Sequence, residues 1–521
     1  MRRDAGWTGW IAVGIAALGA ACGGNRTRSE GVEVKFEVEV EVEVEVEVEG
    51  EGEVEGEVEG EGEGEVEGEV EGEGEVEVEV EVEGEDEDEG EVLDACAPCV
   101  LPFVCVQSTC RLPIRATFAV ERVAPNADWS ALDPAAYVPL AHMDIVLAGD
   151  SGVLARAVTD PAGRVELMAP WPLPADAALV LSAVLADADR PVVAILDGQA
   201  LPFPGGNGQT VHAARVWTWR FALAVDLADA APGALGELRI PQVAGSGALV
   251  LLATLAEARA YALERFLPTP EARAALPTIA VLWSPASAPP CLSCYFPRGT
   301  APVDLPDGTR FDVALFVAGT APNALHWTPS LIDHELGHWV LDAFSRMPSA
   351  GGSHSWITAA WPPLAWSEGF ATFFAQRVLG QPRFFTMQNG TQYWIDIDRV
   401  GRIGGTAAEA SSLAMPFPLP DPAGPLAQPI GEAAVAAILY DLADELGPDA
   451  APDDDPVALG DEALTGIAAP RLASGVVERG ATDGPDLVDY LDGLVCEGIA
   501  ARSELMPALL GLPYDDGVCE P

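Results

Sequence analysis

A short stretch of the chain reads His334-Glu335-Leu336-Gly337-His338. On a helix, residues four positions apart lie on one face, so both imidazoles can bind the same Zn²⁺ ion. Glu335 then stands beside the metal, where a general base would take a proton from a zinc-bound water. We therefore expect His334 and His338 to be metal ligands and Glu335 to be the base.

A third protein ligand is expected further along the chain. After His338, 29 residues pass before Glu368, which lies in Trp366-Ser367-Glu368-Gly369-Phe370. Three protein ligands and one water make the open coordination of a catalytic zinc site. The sequence thus predicts Glu368 as the third ligand.

Helix signals surround both segments. Ser330 and Asp333 have capping-box spacing, and an apolar residue recurs every fourth position after Ile332. A second helix is expected from about Leu364 to Leu379, where Gly380 follows. Both segments are therefore predicted to be helical.

Together the two segments resemble the gluzincin metallopeptidases over roughly residues 330–379. The resemblance implies peptide hydrolysis and a zincin-like mixed sheet above the first helix, with an edge strand lining the substrate cleft. Glycine is a poor helix former, and close packing of the helix against that sheet would explain why Gly337 stands inside it. Many gluzincins carry an Asp four residues after the Glu ligand that orients a His; here that position is Thr372, so the orienting group must be weaker or come from elsewhere.

Peptide hydrolysis also needs a donor for the tetrahedral oxyanion, usually Tyr or His. The related enzymes often place this group after the Glu ligand, which favours Tyr440 or Tyr393 over His354 and His326. Two further histidines, His142 and His212, fall in a β-rich region and are not expected to be ligands.

The metallopeptidase domain is predicted to span residues 226–521 as an α+β unit. Apolar periodicity indicates helices at 248–267, 431–445 and 486–494, and buried strands are expected at 278–283 and 311–317. Residues 113–225 read as an all-β, sandwich-like domain of short strands separated by turns, one of them at Asp160-Pro161-Ala162-Gly163.

Residues 1–22 are typical of a bacterial lipoprotein signal, with Arg2 and Arg3 before an apolar run and Cys22 as the lipidated residue. The alternative is an ordinary signal peptide cut near Ala21. The first reading predicts an exported protein of the cell envelope, anchored in the outer membrane and facing the periplasm or the cell surface. No later segment has 18 uninterrupted apolar residues.

Residues 23–95 are predicted to be a disordered tether. Every odd position from Glu37 to Glu91 is Glu, and with Asp86 and Asp88 these 30 acids account for much of the net charge of −55. The rest of the chain is also acidic, so nucleic acid binding is not expected. We interpret the tether as a charged spacer.

The chain has nine cysteines, so eight remain if Cys22 is lipidated. An even number suits disulfide pairing in an exported protein. Residues 96–112 are predicted to form a small disulfide knot, and the pairing is left open. The candidates are Cys96, Cys99, Cys105, Cys110, Cys291, Cys294, Cys496 and Cys519.

The sequence thus predicts a membrane-anchored zinc metallopeptidase that acts on a peptide or protein substrate. An endopeptidase is slightly preferred because no G-x-M-E-N-like aminopeptidase segment is evident. The alternative is a non-catalytic surface binding or structural lipoprotein on a peptidase-like scaffold. Retention of all three ligands and of the base argues against that alternative.

Overall fold

The structure is a computed structural model that describes residues 10–17, 36–49, 53–59, 104–106, 109–187, 190–198, 211–212, 215–223, 234–267, 269–344, 354, 356, 359–398, 402–405, 413–414, 429–443, 459–460, 464, 485–510 and 514. The chain is an α+β protein, as predicted. One large core contains buried side chains from Leu112 to Tyr514.

Three strands form a separate antiparallel sheet near the N-terminus: β1 (Trp10–Ala17), β2 (Phe36–Glu49) and β3 (Glu53–Glu59). Alternating Glu and Val have the period of a strand, so this part of the predicted disordered tether is paired backbone. The predicted lipidation site Cys22 and the knot residues Cys96 and Cys99 lie outside the described residues.

Twelve strands follow: β4 (Val104–Val106), β5 (Thr109–Arg122), β6 (Ala136–Pro139), β7 (Asp144–Gly149), β8 (Gly152–Val158), β9 (Arg164–Pro170), β10 (Ala178–Ser182), β11 (Val184–Asp187), β12 (Arg190–Asp197), β13 (Val211–His212), β14 (Thr218–Ala222) and β15 (Ala234–Ile240). One sheet has the order β14-β10-β7-β8, and a second is built on β5, which pairs with β4, β6, β9 and β15. Phe118 of β5 packs edge-on against Phe221 of β14, with ring centroids 5.6 Å apart, so the two sheets share buried side chains.

The chain continues with α1 (Ser246–Arg265), α2 (Pro270–Ala275), β16 (Ile279–Trp283), β17 (Ser293–Phe296), β18 (Val303–Asp304), β19 (Arg310–Phe311) and β20 (Val313–Val317). Helix α1 is apolar and long enough to cross a membrane by composition alone, but 61% of its most apolar window is buried in the protein. It is a core helix, and it confirms the helix predicted at 248–267. Strands β16 and β20 likewise confirm the two predicted buried strands.

A mixed five-stranded sheet with the order β11-β12-β16-β20-β17 joins the predicted β-rich domain to the predicted metallopeptidase domain. Strand β12 pairs in parallel with β16, and β15 pairs in parallel with β5. The predicted boundary at residue 225 therefore does not divide the sheets. The boundary was predicted because short β-type segments give way to a helical pattern near residue 225. Pairing between strands distant in sequence decides the sheet instead.

The remaining elements are α3 (Pro329–Phe344), β21 (Ala359–Ala360), α4 (Pro362–Leu379), β22 (Arg383–Gln388), β23 (Thr391–Asp396), β24 (Arg402–Gly405), β25 (Leu413–Ala414), β26 (Ile430–Gly431), α5 (Glu432–Ala443), α6 (Leu487–Cys496) and α7 (Arg502–Leu505). The short 3₁₀ helices are Gln242–Ala244, Ala321–Asn323, Leu325–Trp327 and Met506–Leu509. All the predicted helices are present.

The capping box predicted at the start of α3 does not form. The helix begins at Pro329, so Ser330 already lies inside the first turn. Its Oγ atom accepts a hydrogen bond from the Phe385 backbone N–H at 3.2 Å, which ties α3 to β22. Both carboxylate oxygens of Asp333 are buried without a hydrogen-bond partner.

Candidate metal centre

Two helices meet closely at the centre of the site. A Cβ atom added to Gly337 of α3 would lie 2.6 Å from Cα and 3.0 Å from the backbone oxygen of Ala371 in α4. Gly337 was expected to pack against the sheet, and this was wrong, because its partner is the neighbouring helix. The close contact brings the inward faces of α3 and α4 together.

Three side chains converge at this contact. The Nε2 atoms of His334 and His338, one turn apart on α3, each lie 3.2 Å from Oε2 of Glu368 on α4. All three residues are buried, with 7% exposure each. The ligand atoms lie within 4.8 Å of one another, so the group is able to hold a metal ion. The predicted ligands thus lie together, although 29 residues separate His338 from Glu368.

Helix α4 also supplies the groups that orient both histidines. The hydroxyl of Thr372 lies 3.0 Å from Nδ1 of His334, and that of Ser367 lies 3.2 Å from Nδ1 of His338. When a histidine binds a metal through Nε2, its Nδ1 carries the proton and donates it, so each hydroxyl oxygen accepts. The position where an Asp was expected is therefore occupied by a neutral acceptor that makes the same contact.

Glu335 faces the same cleft and is 5% exposed. Burial, which penalises the charged form, raises the pKa of its carboxyl to about 7; the charge of Glu368 acts in the same direction and that of His338 opposes it. A carboxyl group with a pKa near neutrality can both accept and release a proton at physiological pH.

The pKa of Glu368 is affected differently. Burial opposes its ionisation, but His338, His334 and His354 hold its pKa well below the usual range.

The cleft has a volume of about 650 Å³. Its lining includes the three candidate ligands, Glu335 and Ser367, whereas Thr372 lies behind His334 and outside the lining. One wall is the edge strand β17, where the Tyr295 ring stacks on His338 with centroids 6.3 Å apart and its hydroxyl donates to Asp342 Oδ2 at 2.8 Å. The lining residues are Pro290, Cys291, Leu292, Ser293, Cys294, Tyr295, Pro297, Leu325, Leu331, His334, Glu335, His338, His354, Trp356, Ser367, Glu368, Phe384, Thr386, Met387 and Gln388.

The two tyrosines favoured as oxyanion donors are absent from this lining. Tyr440 lies inside α5 at 8% exposure, with the Arg377 guanidinium 5.7 Å from its ring centroid. Tyr393 lies on β23 and is 37% exposed. His326 is packed between Trp283 and Trp327 in the core, with ring centroids 4.8 and 4.2 Å away.

His354 is the candidate that reaches the cleft. Its Nδ1 lies 2.7 Å from Oε2 of Glu432, the first residue of α5, and its Nε2 lies 3.6 Å from Oε2 of Glu368. Burial opposes its protonation, but Glu432 and Glu368 raise its pKa to about 9. Glu432 was missed from the sequence, where its one signal is an acid at the start of a helix that is otherwise apolar.

Four of the predicted disulfide cysteines are disulfide-bonded in the part of the chain that the structure describes. Cys291, in the loop before β17, pairs with Cys294 of β17 itself. Cys110 and Cys496 are also disulfide-bonded. Cys105 lies opposite Cys110 in the β4–β5 ladder, and Cys519 lies outside the described residues.

The two remaining histidines lie away from the metal centre. His142 has a positive φ of 57° and precedes β7, and His212 is in β13. Neither lines the cleft.

No protein-family model and no curated protein matches this sequence.

Proposed function

We propose that this chain is a zinc-dependent metallopeptidase that hydrolyses peptide bonds in the cleft between β17 and α3. One observation carries the proposal: three metal-binding side chains converge in a cleft that also holds the buried carboxyl group of Glu335. The resemblance of the two helical segments to gluzincins agrees with this arrangement.

The donor set fits Zn²⁺. Two ligand atoms bound at about 2.0–2.1 Å to a tetrahedral zinc lie roughly 3.3 Å apart. The two imidazole nitrogens lie 3.2 Å from the Glu368 oxygen, close to that separation. When bound, Zn²⁺ would polarise the scissile carbonyl and acidify a water molecule.

The residues of the chain then have distinct roles. Glu335 accepts the proton of the attacking water at its carboxylate and donates it to the departing amine. His334, His338 and Glu368 hold the metal, while Thr372 and Ser367 fix the two imidazole rings. Burial of the whole group keeps its geometry fixed during the reaction.

The position of β17 at the edge of its sheet favours a peptide as the substrate. Strand β17 ends the five-stranded sheet, so one side of its backbone has no partner strand among the described residues. An extended peptide can pair with such an edge and lie across the cleft beside Glu335. Internal peptide bonds are the preferred substrate, because the sequence has no G-x-M-E-N-like segment.

The proposal includes an exported location. Residues 1–22 would direct the chain to the cell envelope, where a lipid on Cys22 would anchor it in the outer membrane, and the acidic segment would hold the enzyme away from the bilayer. Labelling with radioactive palmitate should be lost in Cys22→Ala.

The decisive test compares Glu335→Gln with the wild-type chain. Removal of the base should lower peptide hydrolysis by at least about 100-fold while the bound zinc remains at one per chain. Glu166→Gln is the matched control, because Glu166 is exposed and pairs with Arg115 far from the cleft. A digest of a peptide library, analysed by mass spectrometry, gives both activity and cleavage preference. Equal activity in Glu335→Gln would overturn the mechanism, and a wild-type protein that binds zinc but cleaves no peptide would instead be a binding lipoprotein.

A further inference from the structure

A second group of metal-binding side chains adjoins the first. It contains His354, Glu368 and Glu432, whose ligand atoms also lie within 4.8 Å of one another. Glu432 is 3% exposed, and Glu368 is 7% exposed. We propose that this group binds a second divalent cation and that Glu368 is the carboxylate shared by both ions. The inference rests on the proposed metal centre and extends it to a two-metal site.

The shared carboxylate is placed for this role. Its Oε2 atom lies 3.2 Å from both histidine nitrogens of the first group and 3.6 Å from Nε2 of His354 in the second. Two-metal sites hold their ions about 3.5–4 Å apart and use common ligands to do so. Glu368 therefore lies between the two groups of ligands. Within the second group Oε2 of Glu432 lies 2.7 Å from the other ring nitrogen, so an ion held by Glu432 would bind His354 through Nδ1.

Close packing of helices fixes Glu432 beside Glu368. A Cβ atom on Gly369 would lie 2.5 Å from Val435 Cβ and 2.8 Å from the backbone oxygen of Glu432. Since Gly369 directly follows Glu368, the contact between α4 and α5 brings the two carboxylates close together. The second group is thus built into the core and does not depend on an exposed loop alone.

The charges in the cleft are consistent with a second cation. Glu335, Glu368 and Glu432 are all buried, and no Lys or Arg is among the described residues that line the cleft. A buried carboxylate without a compensating charge is costly. One divalent ion compensates for two of these three carboxylates. Glu432 is paired with His354 at 2.7 Å, and a second ion would take the place of the proton between them.

The donors indicate the class of ion. The second group offers one imidazole nitrogen and two carboxylates, and a mixed nitrogen and oxygen set favours a first-row transition metal over Ca²⁺ or Mg²⁺. Co²⁺ is a suitable probe because it is paramagnetic and replaces Zn²⁺ or Mn²⁺ in such sites. Two adjacent Co²⁺ ions couple magnetically, whereas ions scattered along the acidic N-terminal segment do not.

The experiment adds Co²⁺ to the metal-free, full-length chain and follows the ions by electron paramagnetic resonance. The first equivalent should give an isolated high-spin signal, and the second should replace it with a coupled pair. Glu432→Gln and His354→Asn should keep the isolated signal after the second equivalent and weaken binding of the second ion by at least about 100-fold. Glu166→Gln should behave as wild type, and circular dichroism checks that each variant folds.

Three results would overturn the inference. In the first, the signal of the wild-type chain stays isolated after the second equivalent of Co²⁺. In the second, Glu432→Gln still gives a coupled pair. In the third, the wild-type chain binds one ion and His354→Asn only lowers kcat, which would make His354 a hydrogen-bond donor. Failure of the first equivalent to bind would overturn the proposed metal centre itself, so the two failures are distinguishable.

Discussion

The hydroxyl oxygen of Thr372 lies 3.0 Å from Nδ1 of His334, the far side of the imidazole from Glu368. Both residues are buried, so the contact is shielded from water. A neutral hydroxyl fixes the ring and its tautomer, but it raises the basicity of Nε2 less than a carboxylate would. We therefore expect Thr372 to be a positioning residue for the proposed metal site.

Thr372→Val should weaken metal binding by about 10-fold, because valine has a similar shape but no acceptor for the Nδ1 proton. Thr372→Ser keeps the hydroxyl and is the matched control. Competition with a chelator of known affinity measures the dissociation constant of the metal. Equal affinities for Thr372→Val and wild type would show that the hydroxyl does not support His334.

The contact between Gly337 and Ala371 gives a prediction for stability. In an exposed helix, Gly→Ala would stabilise the protein by up to about 1 kcal/mol. Here the new Cβ would lie 2.6 Å from Ala371 Cα, so α3 and α4 must separate. Gly337→Ala should therefore lower the free energy of unfolding by about 1–3 kcal/mol.

Urea unfolding measures this change, and metal affinity should fall with it because the ligands lie on both helices. The double variant Gly337→Ala/Ala371→Gly should recover little, since the Cα and backbone oxygen of residue 371 remain in place. A variant more stable than wild type would contradict the close packing.

The group of side chains that could hold a metal ion was predicted because its signals are local. His334 and His338 are fixed relative to each other by helix periodicity, and α3 and α4 follow one another in the chain with strong helix patterns. Helix α1 and strands β16 and β20 were likewise predicted from short apolar patterns.

The rest depends on contacts between distant residues. Glu432 reaches His354 across 78 positions, and no local pattern specifies that pairing. Every residue of α5 is buried, so periodicity did not reveal which way Tyr440 points. Strand β12 pairs with β16 across the predicted domain boundary at residue 225. The sequence did not predict this pairing, because the hydrogen bonds between two parallel strands leave no local pattern in either strand.

The disulfide between Cys291 and Cys294 lines the cleft. It closes a short loop in which Leu292 has a positive φ of 69°, and the loop runs directly into β17. The hydrogen bonds of His334, His338 and Glu368 among the described residues involve neither cysteine. We therefore expect the disulfide to order the edge strand and to leave these three side chains unchanged.

Replacement of both cysteines by serine should raise KM by about 5-fold at unchanged kcat. Ordering one backbone residue costs about 1–2 kcal/mol, and a substrate that pairs with a looser strand must supply that ordering when it binds. Steady-state kinetics on one peptide separates the two parameters. A fall in kcat at constant KM would show that the pair acts on the reacting groups instead.

Asp486 makes stability depend on pH. It caps α6, where its Oδ1 accepts from the Val488 and Asp489 backbone N–H groups at 2.8 and 3.3 Å. Burial raises the pKa of this carboxyl to about 7, and the charges of Asp489 and Asp492 act in the same direction. The folded state therefore keeps a proton that the unfolded chain releases near pH 4.

The sign follows from this difference in proton binding. Between about pH 4 and 7 the folded state binds more protons, so the free energy of unfolding falls as pH rises, by up to about 1.4 kcal/mol per pH unit. Asp486→Asn still accepts the cap hydrogen bonds but does not ionise. The variant should lose this slope and become more stable than wild type above pH 7. Urea unfolding at several pH values gives the difference curve, in which the other titrating groups cancel. Parallel curves for the two proteins would show that Asp486 titrates alike in the folded and unfolded states.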